Sequence, residues 1–239
     1  MIVTQGAPAP TATPTPTPTA SAPPTPTATP AASATATATP TPAVSNTRIK
    51  DITFEGGGLT NPASGADRVV GTVTLETSQP LKGSYAAFIA NAGSSYLQED
   101  FSAADNLFAS FYLRLNALPS ANVRIALISN AGTTVGNLYL RTSGALSLRN
   151  GSSTIGAASA PLSGGGIYRV GLRQRRGTGA NAVLEAYLAA GDTLFGAPFA
   201  ALTNGTWTTP ADRLRVGATI SVALNAIVDD IRLDSGALP

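Results

Sequence analysis

Apolar and polar residues alternate with a period of two along most of the chain beyond residue 47, the pattern of half-buried strands. In LFASFYLRL, Ala109, Phe111, Leu113 and Leu115 share one face, while Phe108, Ser110, Tyr112 and Arg114 share the other. In NVRIALIS, Val123, Ile125 and Leu127 alternate with Arg124, Ala126 and Ile128. GIYRVGLRQR sets Tyr168, Val170 and Leu172 against Arg169, Arg173 and Arg175. NAIVDDIRLD sets Ile227, Ile231 and Leu233 against Val228 and Arg232, and places Asp229 on the apolar side. Turn signals separate these runs: Asn91-Ala-Gly, Asn130-Ala-Gly, Ser143-Gly, Asn150-Gly, Ser163-Gly-Gly-Gly and Asn204-Gly. Asn and Gly supply the positive φ that tight hairpins require. No segment holds a helical period. The pattern predicts about twelve to fourteen short antiparallel strands, and therefore an all-β, antiparallel sandwich.

The alternation is absent from the N-terminal part. Residues 1–5, MIVTQ, read as a minimal strand with β-branched Ile2 and Val3 followed by Thr4. Residues 6–47 are almost wholly Thr, Pro, Ala and Ser, and 11 of the 18 prolines lie between Pro8 and Pro42. Proline at every second position removes donors and blocks both helix and sheet ladders. Nothing there is large enough to repay ordering by burial. The expectation is an extended polyproline II arm reaching roughly 110 Å. Its closely spaced hydroxyls suit O-glycosylation at Thr11, Thr13, Thr15, Thr17, Thr19, Thr25, Thr27, Thr29, Thr35, Thr37, Thr39 and Thr41. The bland alternative is a naked spacer. Residues 48–239 form the body, long enough for one well-buried core.

Composition narrows the chemistry. The chain has no Cys and no His, which removes thiolate nucleophiles, the commonest general base and the commonest transition-metal ligand. The net charge is +2 with dispersed basic residues, unlike the concentrated patch of a nucleic-acid binder. No apolar stretch approaches the length of a membrane helix. No basic and apolar leader opens the chain, and the Thr/Pro tract favours an exported, extracellular or cell-surface protein.

The order of the body segments resembles a known architecture. ITFEGG (Ile52–Gly57), SYAAFIAN (Ser84–Asn91), FASFYLRLNALP (Phe108–Pro119) and NVRIALIS come first. LYLRTSGALSLRNG (Leu138–Gly151), YRVGLR (Tyr168–Arg173) and a closing VDDIRLD (Val228–Asp234) follow. This series is similar to the concanavalin A-like, laminin G-like jelly rolls of bacterial extracellular proteins, over nearly the whole body. The resemblance implies a jelly-roll sandwich. It does not choose among lectins, glycosidases, adhesion modules and spacers.

Five constellations are candidates for chemistry. Jelly-roll glycosidases carry an E-x-D-x-x-E strand motif, which this chain lacks; the adjacent Glu99 and Asp100 point to opposite faces of a strand, and Glu185 stands alone. Similar carbohydrate-binding modules hold a structural calcium between a first-strand Glu and a last-strand Asp, which here implies Glu55, Asp229 and Asp230. Alternatively, Asp229 caps backbone N–H groups or pairs with an arginine. Trp207, the single Trp, is either a sugar-stacking platform or a core anchor. The sequons at Asn150 and Asn204 double as hairpin turns. The arginines 169, 173, 175 and 176 form a stripe that suits acidic glycans, a neighbouring subunit or plain solvent.

Two functions follow, neither enzymatic. The first is an extracellular structural protein whose copies join head to tail into a filament or matrix. In it Ile2, Val3 and Thr4 add as a strand to the next subunit. The alternative is a carbohydrate-binding or adhesion module on a glycosylated stalk. No cofactor is expected beyond one structural calcium; the partners are copies of the chain or glycans, with neither nucleic acid nor membrane insertion.

Overall fold

The computed structural model describes residues 47–236. The expectations placed on residues 1–5 and on the threonines of the arm lie outside the described residues.

Every regular element but one 3-10 turn is a strand. In chain order they are β1 (Thr47–Ile52), β2 (Arg68–Val70), β3 (Val73–Glu76), β4 (Ala86–Ala92), β5 (Ser95–Ala104) and β6 (Asn106–Ala117). Next come β7 (Val123–Asn130), β8 (Thr133–Leu140), β9 (Leu146–Asn150), β10 (Ser153–Ile155), β11 (Ile167–Arg175) and β12 (Gly177–Thr178). The last are β13 (Val183–Ala190), β14 (Ala200–Leu202), β15 (Thr206–Trp207), β16 (Ala211–Ala218) and β17 (Leu224–Ser235). Eight strands form one antiparallel sheet in the order β14-β13-β11-β6-β17-β4-β3, with β1 also on β17. Seven form the second, in the order β10-β9-β8-β7-β16-β5-β2. The inner faces pack on each other as a jelly-roll β-sandwich.

The alternation of β6 places its side chains as the sequence indicates. Leu107, Ala109, Phe111, Leu113 and Leu115 enter the core between the sheets. In the facing sheet one cross-strand row runs Leu97, Val216, Ala126, Leu138, Leu148 and Ile155. The hairpins close as expected at Ala131-Gly132, Gly144 and Gly151, all at positive φ.

Two strands depart from strict alternation. In β17, Leu224, Ala226 and Val228 face the core, but so do Ile231 and Leu233. Ile227 lies on the opposite face, with Leu81, Ala86 and Tyr112. A bulge between Asp229 and Arg232, with Asp230 at φ 43°, inserts the residue that switches the parity. Ile227 therefore does not share a face with Ile231 and Leu233. At this bulge β17 changes neighbour, from β4 through Val228–Ala87 to β1 through Ile231–Ile52. In β7 a bulge between Arg124 and Ala126 similarly turns Val123, Ile125, Ala126 and Ile128 all inward, leaving Leu127 outside.

Candidate functional site

Glu55 and Asp229 converge on one loop by a different route from cation sharing, and the Asp230 side chain turns away from it. Asp229 is completely buried. Its Oδ2 accepts from the N–H groups of Leu81 (3.2 Å) and Lys82 (2.8 Å), and its Oδ1 accepts from Asp230 N–H (2.8 Å). Exposed Glu55 takes the next part of the same loop, accepting from Ser84 N–H at 3.0 Å and Tyr85 N–H at 3.1 Å. Gly83 lies at φ 56°, where a Cβ would fall 2.3 Å from the Glu55 carboxylate, so only glycine lets the loop approach. Asp230 turns to Arg232 at 3.3 Å. Burial pushes the Asp229 carboxyl up to about 7, against the opposing pull of its N–H donors. Among the described residues no group of three acidic side chains gathers around one point. The donor set, filled by N–H groups, does not fit a calcium shared by these three residues. It fits the capping role.

Trp207 is 5% exposed and packs in the core. Its Nε1 donates to the Val135 carbonyl at 3.3 Å. A Cβ on Gly205 would fall 2.0 Å from the indole ring. This glycine answers to that close approach, and the Asn204-Gly205 pair is not a positive-φ hairpin turn. Trp207 therefore has no open face for a sugar. Its edge borders a threonine-lined depression of about 170 Å³ that carries no charged side chain.

The arginine stripe is taken up by the chain itself. The Arg169 guanidinium lies 4.1 Å from the centre of the Phe195 ring, and Arg173 pairs with Glu185 at 3.3 Å. Arg175 donates to the Asn181 and Ala180 carbonyls, and Arg176 pairs with Asp105. Phe195, from the loop after β13, sits edge-on to Phe108 and near Tyr187, each with ring centres 5.8 Å apart. Gly171 lies beneath, 3.1 Å from Phe195 at its would-be Cβ. The loop after β13 thus covers part of the outer face of the eight-stranded sheet, and Lys82, Asp192 and Tyr112 tie it down further on.

The outer face of the seven-stranded sheet is built differently. Register aligns one row across it: Arg68, Gln98, Arg215, Leu127, Asn137, Arg149 and Thr154. Arg213 and Asp100 pair on one side of the row, and Tyr139 lies opposite Ser147 on the other. The Arg149 guanidinium lies 4.3 Å from the centre of Tyr139, and that of Arg215 lies 5.0 Å from Tyr96. Gln98 Oε1 accepts from Arg215 Nε at 2.8 Å, and its Nε2 donates to Asp100 at 2.8 Å. Asn137 and Ser147 are 1% and 0% exposed. Asn137 Oδ1, Ser147 Oγ and Arg149 Nε have no hydrogen-bond partner. The arginines and tyrosines above them are partly exposed. The face thus offers oriented guanidinium groups over unpaired polar atoms, an arrangement suited to a hydroxyl-rich or anionic ligand. The sequence does not group these residues, because they come from seven strands spread between residues 68 and 215. Only the strand pairing makes them neighbours.

Glu99 and Asp100 point to opposite faces, as their adjacency dictates. Glu99 turns inward, 5% exposed, to Lys50 at 3.2 Å. Asp100 is the single carboxylate among the face residues just described.

No protein-family model matches the chain, and no curated protein is similar to it in sequence. Solved structures are similar in fold. The chain is 8% identical, with a TM-score of 0.55, to the marine PL-14 alginate lyase from Aplysia kurodai, covering 81% of this chain and all of that one. It is 14% identical, TM-score 0.54, to endo-β-1,4-glucuronan lyase from the fungus Trichoderma reesei, covering 79% and 96%. It is 12% identical, TM-score 0.53, to domain 4 of AbnA, an extracellular GH43 arabinanase from Geobacillus stearothermophilus, in complex with arabinotriose, covering 81% and 95%. At such identities the likeness is one of fold, and the fold they share with this chain is the antiparallel β-sandwich.

Proposed function

We propose that the β-sandwich is a non-catalytic carbohydrate-binding module of the concanavalin A-like, laminin G-like kind, displayed outside the cell on its Thr/Pro-rich arm. The observation that carries this reading is the outer face of the seven-stranded sheet. There Asn137, Ser147 and Arg149 hold unpaired polar atoms beside Arg-on-Tyr stacks. The partly exposed arginine and tyrosine side chains above those atoms offer guanidinium donors and ring faces to sugar hydroxyls. Resemblance in fold to a domain in complex with arabinotriose, and to two polysaccharide lyases, supports the same reading. The filament reading rests on residues 1–5, outside the described residues, and takes second place.

Two features support the absence of catalysis. The chain has no His, and Asp100, the carboxylate on the face, is engaged by Arg213 and Gln98. The test is affinity electrophoresis of the full chain through gels containing neutral and acidic polysaccharides. Retardation in at least one gel is expected, with no loss of polymer length on prolonged incubation. Arg149→Ala should weaken retardation several-fold. Trp207→Ala should lower the melting temperature but leave the retardation of folded protein intact. Free migration in every gel, or loss of retardation through Trp207 alone, would refute the assignment.

A further inference from the structure

The same face carries information about which glycan it takes, and this inference rests on the glycan-binding reading above. We propose that its ligand is an acidic polysaccharide bearing carboxylates, a polyuronate, laid across the strands from Arg215 to Arg149.

Charge gives the first argument. Arg68, Arg149, Arg213 and Arg215 stand on one face with the single carboxylate Asp100, which Arg213 engages. Arg68, Arg149 and Arg215 form no direct ion pair among the described residues, Arg215 reaching Asp100 only through Gln98. Elsewhere four arginines have carboxylate partners, Arg48 with Asp234 and Asp51, Arg173 with Glu185, Arg176 with Asp105 and Arg232 with Asp230, while Arg114, Arg124, Arg169 and Arg175 meet an amide, a hydroxyl, a ring and backbone carbonyls. What sets this face apart is that Arg68, Arg215 and Arg149 stand in one cross-strand row, in a chain whose net charge is only +2.

Geometry gives the second. The Tyr139 and Tyr96 rings hold the Arg149 and Arg215 guanidinium groups at 4.3 and 5.0 Å. Gln98 holds Arg215 Nε as well. Arg149 Nε is without a hydrogen-bond partner. A guanidinium fixed on a ring loses little further freedom when it binds, and its planar fork matches a carboxylate through two parallel hydrogen bonds. Arg215 and Arg149 are separated by the two intervening strands β7 and β8, a span of roughly 14 Å at the usual inter-strand spacing. One sugar ring does not bridge that distance, whereas an oligomer carrying carboxylates on successive units does. Between the two anchors lie Leu127 and Asn137, both buried, so contact with an intervening sugar falls to the partly exposed arginine and tyrosine side chains around them.

The stripe at 169–176 differs in its partners, which are an aromatic ring, two carboxylates and two backbone carbonyls within the chain, although Arg169 Nε and Nη2 and Arg173 Nε are also without a hydrogen-bond partner.

The experiment measures binding of the full chain to polygalacturonate, alginate and polyglucuronate, each beside its carboxyl-reduced neutral counterpart, by calorimetry at low and moderate salt. Dextran sulfate and oligothymidylate serve as anions without uronate. We expect binding to at least one polyuronate that is at least about tenfold weaker after carboxyl reduction. Arg149→Gln and Arg215→Gln should each weaken it several-fold and together at least about tenfold, with unchanged melting temperature. Arg176→Gln should leave it unchanged. Equal affinity for a reduced polymer would overturn the acidic assignment while leaving glycan binding in place. Failure to bind any polysaccharide, neutral arabinan and cellulose included, would remove both readings. Affinity for dextran sulfate or oligothymidylate equal to that for the best polyuronate would overturn the carboxylate assignment in favour of bare charge or nucleic acid.

Discussion

Three backbone N–H groups take both oxygens of the buried Asp229 carboxylate without offsetting the cost of its burial. The consequence is readable in pH. Its carboxyl is raised from 3.8 to about 7 by burial, so between those values the folded state binds more protons than the unfolded chain. Stability from this residue is fully present below about pH 4 and is lost as pH rises through about 7. We expect the melting temperature to fall across that window, and Asp229→Asn, which has no charge to bury, to flatten the fall. Parallel curves for the two proteins, followed by circular dichroism, would contradict this. The neighbourhood was partly legible. Alternation put Asp229 on a buried face, and a cap was one of the roles open to it. The Leu81–Tyr85 loop that fills the cap was not legible, since 148 residues separate Leu81 from Asp229.

Among the elements, the hairpins were legible and the bulges were not. Turn chemistry is local, so Asn-Gly and Ser-Gly pairs announce themselves. The β7–β8 turn is Ala131-Gly132 with both residues at positive φ, 45° and 87°. A β-carbon makes the left-handed conformation costly for alanine. Ala131→Asn should therefore raise stability by about 1 kcal/mol, keeping the N–H bond to Asp212. A lowered midpoint in urea would show that the turn is not limiting. A bulge, by contrast, exists only relative to a partner strand. The linear pattern of NAIVDDIRLD gave no reason to break parity at Asp229, and it put Ile227 on the wrong face. The same limitation explains why four adjacent arginines drew notice while the row from Arg68 to Arg149 did not. The first group is close in sequence and internally paired, the second is assembled by pairing across the sheet.

At the scale of the molecule, the sandwich presents two outer faces with different fates. On the eight-stranded sheet the loop after β13 lays Phe195 over Phe108, Gly171 and Tyr187. On the seven-stranded sheet the row of arginines, Gln98 and Asn137 remains partly exposed at its charged ends. Composition and period fixed the class of this architecture, because only antiparallel strands satisfy such a pattern in a chain without helical repeats. Backbone N–H groups fill the Asp229 carboxylate at the loop where a cation was the alternative. A chelator should leave the melting temperature within about 1 °C of its untreated value, and a fall of several degrees would return a cation to the loop of Glu55 and Asp229.

The pairing of β1 with β17 sets Thr47 opposite Ser235, so the two ends of the described body emerge side by side. The strands run antiparallel, with their outermost residues at the same end. Tension applied between those ends loads the ladder as a zipper, one bond after another, where a shearing geometry would load all of them together. Peeling stops where β17 leaves β1 at the Asp229–Asp230 bulge and passes to β4. The core and the arginine row lie beyond that stop. A body pulled by its ends would thus give up its first strand at low force while the face on the opposite sheet stays intact.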